Sequence, residues 1–295
     1  MIWKSSSPDL WEAISTNMVS FWSSYGHVKG AGAERTSTWA WFYTGIRSPL
    51  FNGVLRVRFE PDEVKALIDK LRIRIKAEGA PALWWLDPQS NPDPLGRLLE
   101  QNGLAPAGEV PAMAMDLDGI GKDSERMADF TIQRVDRPDL QRIWGRTAGA
   151  GTGLPEEAIG RLAELEAALS DEPHLARRRY IGMLAGVPVA TSAMVLDGGV
   201  AGIYAVATLP SARRQGIGRI MTVRPLEEAR EIGYRVGVLQ ASSAGYSLYK
   251  KIGFQDVGRY HLYLQTENSG DTLNNLPPAP PGKIPYQTAF NRRLK

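Results

Sequence analysis

Cysteine is absent from the 295 residues, and histidine occurs only at His27, His174 and His261. The first absence excludes disulfides, thiolate zinc sites, iron–sulfur clusters and a cysteine nucleophile together, and three scattered imidazoles do not make a metal cluster by themselves. No metal is expected. Charge of one sign is also lacking, since 35 Lys and Arg face 32 Asp and Glu for a formal balance of +3. That balance demands no nucleic acid partner, although the pI is near 9.0. No uncharged apolar run reaches the roughly 18 residues of a spanning helix, and Met1 to Trp11 lacks the basic segment and apolar run of a secretory leader. The sequence reads as cytoplasmic, with no membrane partner.

What is present is globular in character: 43% hydrophobic and 23% charged residues, enough length for two cores at about 150 residues each. Trp3, Trp11, Trp22, Trp39, Trp41, Trp84 and Trp85 precede residue 120, and only Trp144 follows. Between these unlike halves, Asp116 to Asp129 is polar and aperiodic, as a linker would be. The expected organisation is a first domain over 1–120, a linker over 121–128, a second domain over 129–265, and a tail over 266–295. That tail carries prolines at 277, 278, 280, 281 and 285 and is expected to be extended on the surface or disordered.

In the second half, periodicity predicts a strand over 130–135, helices over 138–145 and 155–169, and strands over 178–184, 189–196 and 200–208. Ala185-Gly186-Val187-Pro188 and Asp197-Gly198-Gly199 read as hairpin turns. A helix over 216–232, a strand over 236–240, a helix over 245–251 and a strand around 260–264 follow. Pro225 inside the long helix predicts a kink rather than a break. The first half repeats the later part of this order: a helix over 10–22, strands over 38–43 and 54–59, a helix over 62–77, a strand over 82–86, a helix over 95–101 and a strand over 112–117. One stretch aligns without gaps, with Leu98 to Leu104 standing 150 positions before Leu248 to Phe254, and Gly108 and Gly258 keep the offset. A fixed offset over a helix-Gly-strand unit is the trace a duplication leaves.

The strongest local signal runs from Val206 through Pro210, Arg213, Arg214, Gln215, Gly216, Ile217 and Gly218 to Arg219, between a predicted strand and a predicted helix. A helix N-terminus presents unpaired N–H groups and partial positive charge, glycines let a phosphate approach the backbone, and the arginines add cations. A dinucleotide fingerprint would need a third Gly at Met221 and an acid near Gln240. A nucleoside triphosphate loop would need Gly-Lys-Ser/Thr where Gly218-Arg219-Ile220 stands. Both fail on spacing.

The order strand, Pro210, Arg213-x-x-Gly216-x-Gly218, helix, strand, then Leu248-Tyr249-x-x-x-Gly253-Phe254 resembles motifs A and B of the GNAT family of N-acetyltransferases. The resemblance covers about 130–264. It implies an α+β fold, an αβα sandwich on a mixed, mostly antiparallel sheet, here as two tandem acyl-CoA N-acyltransferase-like domains. It further implies acetyl-CoA as co-substrate, its pantetheine arm on the backbone of Val206, Ala207 and Thr208 and its pyrophosphate held by residues from Arg213 and Arg214 to Arg219. Direct transfer to a small-molecule or peptide amine would follow, with Tyr249 protonating the departing thiolate. The first half resembles a degenerate copy, with Leu99 in the place of Tyr249 and the acidic Phe59-Glu60-Pro61-Asp62-Glu63 at the strand-to-helix junction. One cofactor per chain is the expectation.

The proton acceptor is open. Neither Val200 to Thr208 nor Arg235 to Gln240 contains a carboxylate, so water, a carboxylate of the helices over 138–169, or one from the first half could serve. A non-catalytic, cofactor-binding regulatory or scaffold module is the alternative function. Ser242 and Ser243 imitate a nucleophile elbow, but His261 and Asp256 make no triad, and helix capping explains the serines. Trp39, Trp41, Trp84 and Trp85 fit either an acceptor pocket or core packing. Because neighbours on a strand point to opposite faces, one of Trp84 and Trp85 is expected to face the other domain, a partner or substrate. Asn52-Gly53 reads as a hairpin turn, and Arg177 to Arg179 as solvated cations on a strand edge.

Overall fold

The computed structural model describes residues 8–58, 61–120, 127–169 and 177–266. Most of the expected linker, residues 59 and 60 of the acidic junction, His174 and nearly all of the Pro-rich tail lie outside the described residues. The chain packs as two compact units. No described helix is long and apolar enough to cross a membrane.

Among the described residues, the C-terminal unit gathers those from 8–24, 113–240 and 245–257. Its strands β6 (Phe130–Arg134), β7 (Arg177–Leu184), β8 (Val187–Asp197) and β9 (Val200–Thr208) run antiparallel in chain order. The crossover helix α6 (Ile217–Glu231) then returns the chain to β10 (Val236–Gln240), parallel to β9. Both expected hairpins form: Ala185 and Gly186, and Gly198 and Gly199, hold positive φ as paired turn residues, the conformation that matches the twist of the strands. Alternation along β7 shows that the sheet is covered on both faces. Arg177 and Arg179 reach Glu166 of α5 (Glu156–Ala168), whereas Arg178 and Tyr180 reach Glu228 of α6. Between β6 and β7 runs α4 (Pro138–Thr152), opened by proline and longer than its expected end at 145; its Trp144 donates to the carbonyls of Tyr180 and Ser192. Pro225 sits inside a continuous α6, so the helix is not broken. The unit also takes in α7 (Tyr246–Ile252).

Among the described residues, the N-terminal unit takes in those from 25–112, 241–244 and 258–266. Strands β1 (Gly32–Arg35), β2 (Ala40–Tyr43) and β3 (Asn52–Leu55) are antiparallel, and α2 (Pro61–Glu78) crosses to β4 (Ala82–Leu86), parallel to β3. After β4 come α3 (Pro92–Gln101) and β5 (Ala105–Asp116). The last strand of the chain, β11 (Gln255–Gln265), lies antiparallel on β4, with Leu262 opposite Trp85. The apolar side of α2 (Val64, Leu67, Ile68 and Leu71) packs with Val54, Trp84 and Leu99 into one core. Each unit is thus a mixed, mostly antiparallel sheet with helices, and each has one parallel pair joined by a crossover helix.

Several expectations are corrected here. The first helix, α1 (Pro8–Ser23), belongs to the C-terminal unit, and residues of β11 from 258 belong to the N-terminal one; packing does not follow the boundary near 120. Asn52-Gly53 is no hairpin turn. Both residues pair within β3, and the buried Asn52 side chain donates to the carbonyls of Ile46, Ser48 and Pro81. Both Trp84 and Trp85 are buried. Trp84 sits in the α2 core and donates to Gln265, and Trp85 lies edge-on to Tyr260 with 5.7 Å between ring centroids. Trp41 and Tyr43 flank the Arg74 guanidinium, at 4.5 and 5.0 Å from their ring centroids, and the three residues line a small cavity together. Arg177 and Arg179 are not solvated: their side chains are 4% and 3% exposed against a fully buried Glu166. Strand β7 is interior, between β6 and β8, so these cations had to be paired.

Candidate active site

Strand β9 and the start of α6 build the site. The parallel register of β9 on β10 covers only Ala201 with Gly237 and Gly202 with Val238, although β9 continues to Thr208 and β10 to Gln240. On its other side β9 carries a bulge. Thr191 pairs with Ala207 and Ala193 with Tyr204, so Ala205 and Val206 together oppose Ser192. Ala205 has φ +49, an uncommon conformation for a residue with a side chain, and its carbonyl accepts from Thr191 Oγ1 at 2.9 Å. A bulge bends a strand and ends its pairing locally, so the backbone of Val206, Ala207 and Thr208 follows a stretch of β9 that has parted from β10.

Leu209 and the short turn Pro210–Ala212 lead to Arg213, Arg214 (φ +66), Gln215 and Gly216, the N-cap of α6 at φ +83. Only Gly reaches that φ without strain. The first amide with an intrahelical acceptor is that of Arg219, 2.9 Å from the Gly216 carbonyl. Among the described residues, the amides of Gly216, Ile217 and Gly218 have no acceptor, as the first turn of a helix requires. Arg214, Gln215 and Gly216 are exposed, Gly218 and Arg219 half-buried, and Ile217 buried as the first core residue of α6. Arg213 points elsewhere: Nε donates to the Thr208 carbonyl at 3.0 Å and Nη2 to the Gly151 carbonyl at 2.9 Å. It ties the end of β9 to α4, and Arg214 and Arg219 are the other arginines at the start of α6.

A Cβ on Gly218 would lie 3.2 Å from Leu248 of α7, which places Tyr249, the next residue, on the helix beside the start of α6. Tyr249 is 8% exposed, edge-on to Phe254 at 6.0 Å, and burial pushes its phenol up to about 12. Gly245 is the N-cap of α7, and Ser242 and Ser243 just before it are exposed. Asp256 accepts from Tyr246 at 2.6 Å while His261 lies 3.5 Å from Glu109, so neither forms a triad. Among the described residues no carboxylate bonds to Tyr249. Those facing the sheet are engaged, Glu166 with Arg177 and Arg179, and Glu228 with Arg178 and Tyr180.

The duplicated stretch has matching backbone geometry. Leu104 N donates to the Leu99 carbonyl and Phe254 N to the Tyr249 carbonyl, both at 3.0 Å, and Gly103, Gly253, Gly108 and Gly258 all have positive φ. In the N-terminal unit the parallel register of β3 on β4 is likewise two pairs long, Gly53 with Leu83 and Val54 with Trp84. Arg56 follows with φ +55, like Ala205. There the opening is closed by side chains. Arg58, just past β3, makes a bidentate pair with the fully buried Asp87, just past β4, both bonds at 2.9 Å, and also donates to Ser90 and Gln89.

Residues 173–256 match the family model of an acetyltransferase (GNAT) domain. Similar solved structures include a GCN5-related N-acetyltransferase from Kribbella flavida, 19% identical, covering 85% of this chain and 95% of that one at a TM-score of 0.59. A tandem GNAT protein from the clavulanic acid biosynthesis pathway is 11% identical over 87% of this chain and 93% of its own, at 0.57. A GCN5-related N-acetyltransferase from Sphaerobacter thermophilus is 19% identical over 80% and 75%, at 0.53. No curated protein matches the chain. These likenesses show the fold across most of the sequence, and the family model falls on the bulged strand, the glycine loop and Tyr249. Residues 173–256 are thus similar to a GNAT acetyltransferase domain, and the chain shares an α+β fold with solved GCN5-related and tandem GNAT structures.

Proposed function

We propose that the C-terminal unit transfers the acetyl group of acetyl-CoA directly to a primary amine. The observation that carries this reading is the run of unpartnered amides at Gly216, Ile217 and Gly218, set at the end of a bulged strand that has left its parallel neighbour. Those amides, the exposed Arg214 and the half-buried Arg219 suit a diphosphate, and the free edge at Val206 to Thr208 suits an amide-bearing arm. The arm would bond to backbone, and the diphosphate would sit on the α6 N-terminus.

In the reaction an amine nitrogen bonds to the thioester carbonyl carbon, the C–S bond breaks, the nitrogen gives up a proton, and the sulfur leaves as a thiolate that takes a proton from solvent. Tyr249 supplies the hydrogen bond to the departing sulfur. With its phenol raised to about 12 by burial, it stays protonated at every working pH and acts as a donor. Full transfer to a thiolate of conjugate pKa about 8.5 is uphill for such a phenol, so the stabilisation lies in the hydrogen bond held in a dry site. With the sheet-facing carboxylates paired, water takes the amine proton. An amine of pKa about 10.4 is then mostly cationic at pH 7, an unfavourable equilibrium of about 4 to 5 kcal/mol. The rate should therefore rise with pH toward the amine pKa.

The N-terminal unit holds no second coenzyme in this reading, because Arg58 and Asp87 fill the opening that β3 and β4 leave. Single-turnover assays with radiolabelled acetyl-CoA and a panel of small-molecule and peptide amines test the proposal; label appearing on an amine with stoichiometric CoA release is the expected result. The absence of a carboxylate at Tyr249 favours one second reading, a coenzyme-binding module without turnover. Tight binding with no transfer to any amine, even at pH 9, would favour it.

A further inference from the structure

The helix that opens the chain packs on the strand that carries the bulge, although sequence order assigns it to the other half. Asn17 of α1 is fully buried. Its Nδ2 donates to the carbonyls of Val195 at 3.0 Å, Asp197 at 2.9 Å and Val200 at 3.1 Å, spanning the β8–β9 hairpin. Its Oδ1 accepts from the Tyr204 hydroxyl at 2.8 Å. One turn on, Phe21 stacks on the Tyr204 ring with centroids 4.2 Å apart and planes 6° from parallel. Tyr204 immediately precedes Ala205, the left-handed residue of the bulge. The fit leaves no slack, since a Cβ on Gly202 would strike Asn17 Oδ1 and one on Gly198 would come within 2.7 Å of the Ala13 carbonyl.

We propose that Asn17 and Phe21 of α1 are positioning residues for acetyl-CoA, acting through Tyr204 to hold the bulge at Ala205 and so the open backbone edge from Val206 to Thr208. Two groups fix the bulge from opposite ends. Thr191 holds the Ala205 carbonyl, and α1 holds the side chain one residue earlier. Ala205 can remain at positive φ only if its surroundings over-determine it, since that conformation is unfavourable for an alanine. If Tyr204 is released, β9 can relax and draw its edge out of the orientation the pantetheine amides need. The helix then contributes to the affinity of a ligand that it does not touch. This inference rests on the acetyl-CoA reading given above.

The test compares Asn17→Leu, Tyr204→Phe and Ser20→Ala by titration calorimetry with acetyl-CoA and by steady-state kinetics. Ser20 lies on the same helix and bonds to Asp197 without touching Tyr204, so Ser20→Ala loosens docking alone. Asn17→Leu is expected to weaken acetyl-CoA roughly three- to thirtyfold, raising its KM while kcat at saturation stays within about twofold. Tyr204→Phe, which keeps the stacked ring and loses the hydroxyl, should show the same split in smaller measure. Ser20→Ala should lower the melting temperature and leave the affinity at the wild-type value. Should Asn17→Leu fail to fold, Tyr204→Phe alone decides. Wild-type affinity in the readable variants, or an affinity loss in Ser20→Ala that tracks its stability loss, overturns the positioning role. Failure of the wild-type protein to bind acetyl-CoA overturns the coenzyme reading itself, and this inference with it.

Discussion

Tyr249 and Glu166 are buried for opposite reasons. The Tyr249 hydroxyl has no hydrogen-bond partner among the described residues, and the proposed transfer gives it one in the departing sulfur. Tyr249→Phe is expected to slow acetyl transfer about a hundredfold, with acetyl-CoA affinity unchanged within about twofold; collapsed affinity with an unchanged rate per bound coenzyme would remove its role as donor. Glu166 faces two buried guanidiniums, those of Arg177 and Arg179. Glu166→Ala leaves both cations without this carboxylate and should cost about 3 to 5 kcal/mol in urea unfolding, with the remaining folded protein still binding coenzyme. In the sequence the three arginines looked like a solvated edge. Strand position in the sheet, which no local pattern carries, buried Arg177 and Arg179.

At the scale of elements, the helix-glycine units reproduce themselves. The matched bonds from Leu104 to Leu99 and from Phe254 to Tyr249, both 3.0 Å, give the offset of 150 a physical meaning. Gly216 shows how the proposed coenzyme seat depends on one backbone conformation. Its φ of +83 turns the chain from the loop into α6, and Gly216→Val would force a side chain into that conformation and over the amides. Acetyl-CoA affinity should fall at least tenfold by calorimetry, because a charge-assisted bond to such amides is worth about 1.5 to 3 kcal/mol. The loop, both hairpins, α6 and β10 were legible because turn residues and apolar periods mark them within a few residues. The bulge at Ala205 was not, since an alanine in a Val-Ala-Gly-Ile-Tyr-Ala run carries no sign of positive φ. Strand β1 was missed for a related reason: Gly-Ala-Glu-Arg is a half-exposed edge without apolar alternation. The acidic junction is where the sequence predicts that the first half differs from the second. The residues that close it, Arg58 and Asp87, are 29 positions apart and meet only once β3 and β4 stand side by side.

At the scale of the molecule, the sequence supported tandem copies, but its linear boundary did not follow the packing. Helix α1 joins the C-terminal unit and the end of β11 the N-terminal one, because a strand finishes the sheet that offers it a partner edge, whichever half encodes it. Stability has its own signature. Burial raises the phenols of Tyr180, Tyr204 and Tyr249 above their ordinary value, so folded tyrosines keep protons that the unfolded chain loses above pH 10. Stability is then unaffected by these groups below pH 10 and falls as pH rises beyond it, by about 1.4 kcal/mol per pH unit for each tyrosine involved. Melting temperatures between pH 8 and 12 would show this, and a flat profile would mean the phenols are solvated. The central claim, one acetyl-CoA seated on the α6 N-terminus, is tested most directly by calorimetric titration of the wild-type chain beside Gly216→Val and Tyr249→Phe. The account predicts one site per chain, lost in the first variant and kept in the second. Two sites, no heat, or wild-type affinity in Gly216→Val would contradict it.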